Sequence, residues 1–193
     1  ITAMVIIGND RAHQREQELL ARQRTNRFRQ LMAEGADLLL RNRATNAIPK
    51  YDEAIALDPG RSAPYIERGK CRYALQSFEA ALADFERAYE VDPGDLRARL
   101  WRGIVRCNYA TAAERDLGIQ DIKDTLDADP DDPECLLEAS RLYVNLAKNA
   151  TEFVARDQLL NAGFSRIRRA FELLNARNQE QYQAHPRETD ERD

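Results

Sequence analysis

The chain has 193 residues, of which 32% are charged and 43% hydrophobic, and its formal net charge is −4 at pH 7. This composition is typical of a globular protein and excludes a long low-complexity chain. A nucleic-acid-binding domain would be clearly basic, so no nucleic-acid partner is expected. Glycine (8) and proline (7) are sparse, while alanine, leucine, arginine and glutamate dominate, which predicts a helical protein.

The first 27 residues are predicted to be a flank made of an apolar stub, ITAMVII, and a polar helix over 10–27. The stub is too short to span a membrane. Two interpretations stay open: a cloning remnant or short docking segment, or the end of a membrane anchor that lies upstream. Under the second, the chain is a regulatory or sensor module of a larger membrane-anchored bacterial protein, similar to a receptor kinase.

A 34-residue period follows this flank. Gly35, Gly69 and Gly103 are 34 residues apart, and YDEAIALDPG at 51–60 returns as FERAYEVDPG at 85–94. A glycine in mid-helix lets a second helix approach closely, an aromatic ring fills the space between helices, and Asp-Pro-Gly ends a helix. A period of this length indicates stacked supersecondary units.

On these residues the sequence resembles the tetratricopeptide-repeat (TPR) family, whose period is 34 residues. The resemblance implies an all-α fold, an α-solenoid of stacked antiparallel helix pairs in a right-handed superhelix. The first two units are 28–61 and 62–95, and the third, 96–132, has a three-residue insertion. A divergent fourth unit or capping helix pair occupies 133–177, and a disordered tail is expected over 178–193.

Polar residues predict where several helices begin. Thr111 and Glu114 have the spacing of a capping box, and Asp132 precedes a proline as an N-cap. Ser62 and Asp95 are the predicted N-caps of the first helices in the second and third units.

The last predicted helix, 156–176, is amphipathic, with an apolar face and a basic face. We interpret its apolar face as that of a terminal helix that closes the stack against water; this face consists of Leu159, Leu160, Gly163, Phe164, Ile167, Ala170, Phe171 and Leu174. A basic patch on the other side is interpreted as a solvated face, with an acidic partner or lipid headgroups as the alternative; it consists of Arg166, Arg168, Arg169 and Arg177.

No catalytic or metal-binding pattern is found in the sequence. Both histidines lie in the polar flanks, and HExxH, GxSxG, GxGxxG and P-loop motifs are all missing. Cys71, Cys107 and Cys135 are interpreted as buried thiols, and the acidic run 127–132 as a solvated turn. We therefore expect no enzyme activity, no metal and no cofactor, and a location in the cytoplasm or on the soluble side of a membrane anchor.

The resemblance places the partner site on the concave wall formed by the first helices of the units. Family members bind peptides or helices of partner proteins there. The wall is predicted to present Arg29, Met32, Ala36, Ile66, Lys70, Tyr73, Arg97, Trp101, Ile104 and Asn108. The predicted function is a non-catalytic scaffold for a protein or peptide partner. Self-association is a further alternative, and Trp101 is left open between groove and core.

Chaperone-binding members of the family hold a terminal carboxylate with a clamp of Lys, Asn, Asn, Lys and Arg. Only one of the corresponding residues, the arginine, has the required chemistry; these residues are Met32, Ala36, Glu67, Arg97 and Trp101. Glu67 carries the wrong sign for binding a carboxylate. The partner is therefore expected to present apolar anchors rather than a chaperone C-terminal carboxylate, because tyrosine and tryptophan are typical interface anchors.

Overall fold

The computed structural model describes residues 2–109, 111–149 and 153–184. Over these residues the chain is all-α, without a strand, as predicted. Its helices are α1 (Thr2–Leu40), α2 (Ala44–Leu57), α3 (Ser62–Ala74), α4 (Phe78–Val91), α5 (Leu96–Tyr109), α6 (Ala112–Ala128), α7 (Pro133–Asn149) and α8 (Phe153–Ala184). Two of these helices fall in each predicted repeat unit, and α1 and α8 extend beyond the predicted bounds.

The chain divides into two compact units, residues 1–98 and 99–193. In the first unit, α1 packs against α2, α2 against α3, and α3 against α4. Helix α1 also contacts α3, so two first helices are neighbours there. In the second unit, α7 packs against both α6 and α8.

Helix α1 differs from the prediction because it is continuous from Thr2 to Leu40. The predicted polar flank and the first helix of unit 28–61 are therefore one helix. It attaches to α2 from residue 24 onward: the Arg24 guanidinium donates to the Leu57 carbonyl, and Arg27 pairs with Glu53 at 2.9 Å. Among the described residues, no helix combines the length and apolar character needed to cross a bilayer.

Helix α8 also extends beyond its predicted end. Residues 178–184, which were expected to be part of a disordered tail, are helical; residues 185–193 lie outside the described part of the chain. With 32 residues against 17 in α7, α8 continues past the start of the helix on which it packs. Leu174 and Arg177 of α8 lie beside Pro133, the first residue of α7.

A glycine packed under an aromatic ring joins the two helices in each of the first two pairs. A Cβ atom added at Gly35 would lie 2.6 Å from Cζ of Tyr51, and one added at Gly69 would lie 2.7 Å from Cε1 of Phe85. Both rings are fully buried. The predicted roles of these residues are confirmed, as is burial of the small residues around the rings, Ala47, Ala54, Ala81 and Ala88.

The third pair replaces the ring with smaller groups. A Cβ added at Gly103 would lie 2.8 Å from the Gly118 carbonyl oxygen and 2.9 Å from Cγ1 of Ile122. Ile122 and Thr125 are buried. The register expected from the three-residue insertion is therefore correct: Gly118, Ile122 and Thr125 take the places that alanine, an aromatic residue and alanine have in the earlier pairs.

Two predicted helix starts are confirmed by hydrogen bonds. At α6, the Thr111 side chain accepts from the Glu114 backbone N–H, and the Glu114 carboxylate accepts from the Thr111 backbone N–H at 3.0 Å, which completes a capping box. At α7, Asp132 Oδ1 accepts from the backbone N–H of Glu134 at 2.8 Å. Both caps satisfy amides that have no partner within the helix.

The caps predicted at Ser62 and Asp95 have different outcomes. Asp95 is an N-cap, because its Oδ1 accepts from the Arg97 backbone N–H at 3.1 Å. The prediction for Ser62 is wrong: α3 begins at Ser62 itself, and no side chain caps it. The Ser62 hydroxyl instead donates to Asp95 Oδ2 at 2.9 Å, so it supports the cap of the next first helix.

Candidate functional site

The neighbouring first helices α1 and α3 carry much of the predicted partner site. On α1, Arg29 and Ala36 are exposed, and Met32 is half-buried against the apolar core that contains Tyr51. On α3, Lys70 and Tyr73 are half-buried. The first compact unit therefore presents a mixed polar and aromatic surface built from two adjacent helices, which we call the α1–α3 face (Arg29, Ala36, Lys70 and Tyr73).

Two of the predicted site residues are core residues. Ile66 on α3 is fully buried, and Ile104 on α5 is 4% exposed. Neither side chain reaches the surface, so a partner could touch them only if the surrounding helices moved. The sequence prediction placed them with their surface neighbours because one helical turn carries both core and surface positions.

The charge on the α1–α3 face is partly neutralised by an ion pair. Lys70 Nζ lies 3.1 Å from Oε1 of Glu67, one turn earlier on α3, and both side chains are mostly buried. Behind this pair, burial and the charge of Glu67 raise the pKa of the Cys71 thiol to about 11. Cys71 is therefore a neutral core group, and the surface in front of it carries a paired charge.

The ring of Tyr73 is oriented by the start of the next helix. Its centroid lies 5.7 Å from that of Phe78, the first residue of α4, in an edge-to-face arrangement. Such aromatic pairs are favourable beyond the area they bury. Tyr73 is thus held in a defined orientation on the surface, which lowers the conformational entropy lost when a partner binds.

Arg97, at the start of α5, is engaged by its own helix cap. Its guanidinium lies 3.1 Å from Oδ2 of Asp95. Burial raises the pKa of Asp95. Hydrogen bonds from Arg97 and Ser62 and the positive charge of Arg97 lower this pKa by more than burial raises it, so the net pKa is below its usual 3.8. Arg97 therefore stabilises the start of α5 in addition to any role in binding.

Trp101 and Asn108 lie on α5 in the second compact unit, and both are half-buried. The indole nitrogen of Trp101 is buried while part of the ring is accessible. Trp101, which the sequence left open between groove and core, is therefore partly buried and partly accessible. Its ring contributes to packing and also leaves surface for a partner.

The acidic turn between α6 and α7 borders an open cavity of about 690 Å³. Its carboxylates have structural partners: Asp132 caps α7, Asp129 accepts from the Asp131 backbone N–H at 3.3 Å, and Asp131 pairs with Arg169 at 3.0 Å. No group of three or more potential metal ligands occurs among the described residues. This geometry supports the interpretation of the acidic run as a turn.

A set of ion pairs between helices was missed in the sequence. Arg68 and Arg72 on α3 both contact the buried carboxylate of Asp84 on α4, at 2.6 and 2.9 Å. The same arrangement returns on α5 and α6 as Arg102, Arg106 and Asp121. The arginines themselves recur at 34 residues. The ion pairs could therefore have been predicted from the period, which was interpreted only through its small and aromatic residues.

The first pair contains the same contact with its charges reversed. Glu34 lies 34 residues before Arg68, and Lys50 lies 34 residues before Asp84. Lys50 Nζ is 2.8 Å from Glu34 Oε2. The first helix thus supplies the acid in this pair and the base in the next two.

The apolar face of α8 is not closed against water as predicted. Gly163 and Ala170 are buried against α7, but Phe164, Ile167 and Phe171 are exposed. The side chains of Leu159 and Leu160 lie outside the described part of the structure. The apolar face is therefore divided into a buried edge and an exposed stripe.

The basic patch on α8 is also divided. The Arg166 guanidinium lies 4.5 Å from the centroid of Tyr143 on α7, and Arg169 pairs with Asp131. Arg168 and Arg177 are exposed. Half of the patch therefore contributes to packing of the second compact unit, which leaves little concentrated positive charge for an acidic ligand.

Solved structures with the same arrangement of helices identify the fold. The second TPR domain of human RPAP3, solved with an HSP70 peptide, aligns with a TM-score of 0.53 and 20% identity over 62% of this chain and 97% of that one. The TPR domain of Arabidopsis OM64 aligns with a TM-score of 0.54 and 21% identity over 62% and 96%. The chain has a tetratricopeptide-repeat fold. MamA is similar to this TPR solenoid at a TM-score of 0.52 and 16% identity over 79% of this chain and 81% of MamA.

Sequence comparison gives a more local similarity. A curated relative, the DnaJ homolog subfamily C member 7 homolog of Dictyostelium discoideum, is 33% identical over 67 residues, which is 34% of this chain. The aligned part spans 12% of that relative's length. No family model matches the chain. The TPR assignment therefore depends on the helical period, the interhelical contacts and the structural neighbours together.

Proposed function

We propose that this TPR chain is a non-catalytic interaction module that binds a peptide or helix of a partner protein on its first helices. One observation supports the proposal most directly: the alanine, glycine and aromatic residues that recur every 34 positions within the helices are buried, whereas the α1–α3 face consists of exposed and half-buried residues that do not recur. Recurring residues build the scaffold, and the variable ones are free to define a partner.

The structural neighbours support this class of function. The RPAP3 domain was solved with an HSP70 peptide, and the first TPR of Spaghetti, with a TM-score of 0.54 and 20% identity, was solved with an HSP90 peptide. These likenesses establish a shared fold, and the binding chemistry of this chain has to be argued from its own side chains.

The side chains of this chain favour an apolar anchor over a carboxylate. Met32 and Ala36 offer no hydrogen bond, and Glu67 pairs with Lys70 instead of attracting an anion. Tyr73 supplies a fixed aromatic surface beside them. An amphipathic helix or an extended apolar segment suits such a surface.

The two chaperone peptides provide the first test. We expect SGPTIEEVD and SRMEEVD, the sequences bound to RPAP3 and Spaghetti, to show no saturable binding by calorimetry at about 100 μM peptide, a concentration that detects complexes with micromolar Kd. Tight binding of either peptide would contradict the assignment of apolar specificity while leaving the interaction module itself intact.

Site-specific photo-crosslinking tests the location of the surface. A benzophenone amino acid is placed at Tyr73 on α3, and in a matched control at Tyr89 on α4; both native side chains are half-buried tyrosines. In a lysate of the source organism we expect a discrete crosslinked partner at position 73 and none at 89. Identical products at both positions would argue against a site on the first helices.

Trp101→Ala tests the contribution of α5. Interface tryptophans are frequent hot spots, so we expect partner binding to weaken by about 2 kcal/mol or more while helicity changes little. Circular dichroism measured beside the binding assay separates the two roles. Loss of helicity in the variant would assign Trp101 to the core of the second compact unit.

A further inference from the structure

Helix α8 leaves a contiguous stripe of large apolar side chains in water. Phe164 is 57% exposed, Ile167 39%, Phe171 65% and Leu174 36%. Single apolar residues scattered over a surface are normal, whereas large contiguous apolar patches mark interaction sites. We call these four residues the α8 stripe.

Two residues of the α8 stripe, Ile167 and Phe171, stand at positions that are buried in the preceding helix pair. Counted from the glycine of each second helix, Ile122 and Leu126 of α6 stand at the same offsets from Gly118 as Ile167 and Phe171 do from Gly163. Ile122 and Leu126 are 1% and 8% exposed, and α7 packs against α6. Ile167 and Phe171 are therefore exposed at positions whose counterparts on α6 are buried.

The corresponding face of the first helix α1 is polar, so it is not the missing cover. First helices that follow another pair carry a buried apolar residue at one register position, namely Cys71, Val105 and Leu142. The equivalent residue of α1 is Asp37, which is exposed and pairs with Arg41 at 3.1 Å. Head-to-tail stacking of a second chain would bury this carboxylate against the stripe, at a large desolvation cost.

The spacing of the stripe is symmetric in sequence. Its four residues are separated by 3, 4 and 3 positions, centred on residue 169, which is the spacing of a coiled-coil seam. In an antiparallel pair of α8 helices, Phe164 of one chain would lie opposite Leu174 of the other, and Ile167 opposite Phe171. A surface that is complementary to itself is the requirement of a two-fold interface.

From these observations we propose that the α8 stripe is a dimerisation surface on which a second copy of this chain docks its own α8 in antiparallel orientation. The interface would pair two second helices, whereas the α1–α3 face is built from first helices.

The oligomeric state of the purified chain tests the proposal. Sedimentation equilibrium is expected to give twice the monomer mass at about 100 μM, as for a dimer with a micromolar Kd. Phe171→Arg should weaken dimerisation at least tenfold with unchanged helicity, since this side chain is mostly exposed. Leu117→Arg on α6 is the matched control, because Leu117 is 57% exposed and lies outside the stripe.

Disulfide trapping tests the orientation of the two helices. Chains with Ile167→Cys and chains with Phe171→Cys are mixed and briefly oxidised; antiparallel pairing predicts a mixed disulfide between them. Parallel pairing would instead give disulfides between identical variants. The three native cysteines are buried and should not interfere.

Three results would overturn the proposal. The first is a monomer at about 100 μM, which would assign the stripe to a helix of another protein or of a longer chain. The second is a dimer that Phe171→Arg does not weaken, since another surface would then hold it together. The third is a predominance of disulfides between identical variants. None of these results bears on the photo-crosslinking test at Tyr73, so the two proposals fail separately.

Discussion

Gly69 of α3 and Phe85 of α4 are in such close contact that the glycine has no room for a side chain. A Cβ atom at Gly69 would lie 2.7 Å from Cε1 and 2.8 Å from Cζ of the buried ring. The absent methyl group sets the distance between the two helices, and the ring fills the space that remains. This relation explains why both residues recur with the 34-residue period.

Gly69→Ala is therefore expected to destabilise the protein. The methyl group gains up to about 1 kcal/mol of helix propensity, but displacing a packed ring costs about 1–3 kcal/mol. We expect a net loss, measured as a lower free energy of unfolding in urea. Gly60→Ala is the control, because its Cβ would lie 3.6 Å from Asp58, an ordinary contact. Equal stability of Gly69→Ala and the native chain would show that the helices separate at little cost.

Asp84→Asn tests the buried ion pairs between α3 and α4. The Asp84 carboxylate is buried and contacts both Arg68 and Arg72, so its removal leaves two guanidinium groups short of their acceptor. Breaking a buried pair in this way typically costs about 3–5 kcal/mol. Denaturant unfolding of the variant measures the loss.

A matched surface pair provides the reference for Asp84. Glu90 pairs with Arg87 at 2.9 Å, and both side chains are mostly exposed. Such pairs contribute about 0–1 kcal/mol, so Glu90→Gln should leave the unfolding midpoint almost unchanged. Similar effects of the two substitutions would mean that burial adds nothing to the Asp84 contacts.

Asp95→Asn should change how stability depends on pH. The folded pKa of Asp95 lies below its usual 3.8, so the ionised carboxylate stabilises the folded state at any pH above 3.8. This contribution is lost as the pH falls from there through the lowered folded pKa. The variant should therefore be less stable than the native chain at pH 7, and the gap should narrow below pH 3.8. Urea unfolding from pH 7 down to acid measures it; a constant gap would contradict the prediction.

The three thiols should be unreactive in the folded protein. Burial raises the pKa of Cys71 and Cys107 to about 11 and that of Cys135 to about 12, and only the thiolate reacts readily. At pH 8 we expect no rapid reaction with Ellman's reagent, and reaction of all three thiols after unfolding in guanidinium. A thiol that reacts rapidly in the native protein would show that its helix opens locally.

The TPR fold was predictable because its determinants are local and recurrent. Gly35, Gly69 and Gly103 mark close approaches of two helices, and Tyr51 and Phe85 fill the space beside them. A glycine or an aromatic residue that recurs every 34 positions within a helical pattern has few structural roles other than close helix packing. Helix caps were nearly as informative, since the capping box of α6 needs only residues three positions apart.

Properties that depend on a second helix were harder to predict. Ile66 and Tyr73 share a helix, yet one is buried and the other half-exposed, because the difference is set by the helices around them. Likewise, the apolar residues of α8 were recognised, but which of them α7 covers depends on how the helices meet. The continuity of α1 was missed because the prediction divided the chain where the 34-residue period begins, although no glycine or proline between residues 10 and 28 marks the end of a helix.

The reversed ion pair of α1 and α2 has a consequence for the folding of a chain whose helices resemble one another. If α1 associated with α4 in place of α2, Glu34 would face the like charge of Asp84. If α3 made with α2 the contact that it makes with α4, Arg68 would face the like charge of Lys50. Repeat proteins are prone to exchange of equivalent elements during folding, and like charges in apposition raise the free energy of the exchanged state. The sign reversal therefore disfavours exchange of helices between the first pair and either later pair, whereas the two later pairs carry the same signs and are not distinguished by it.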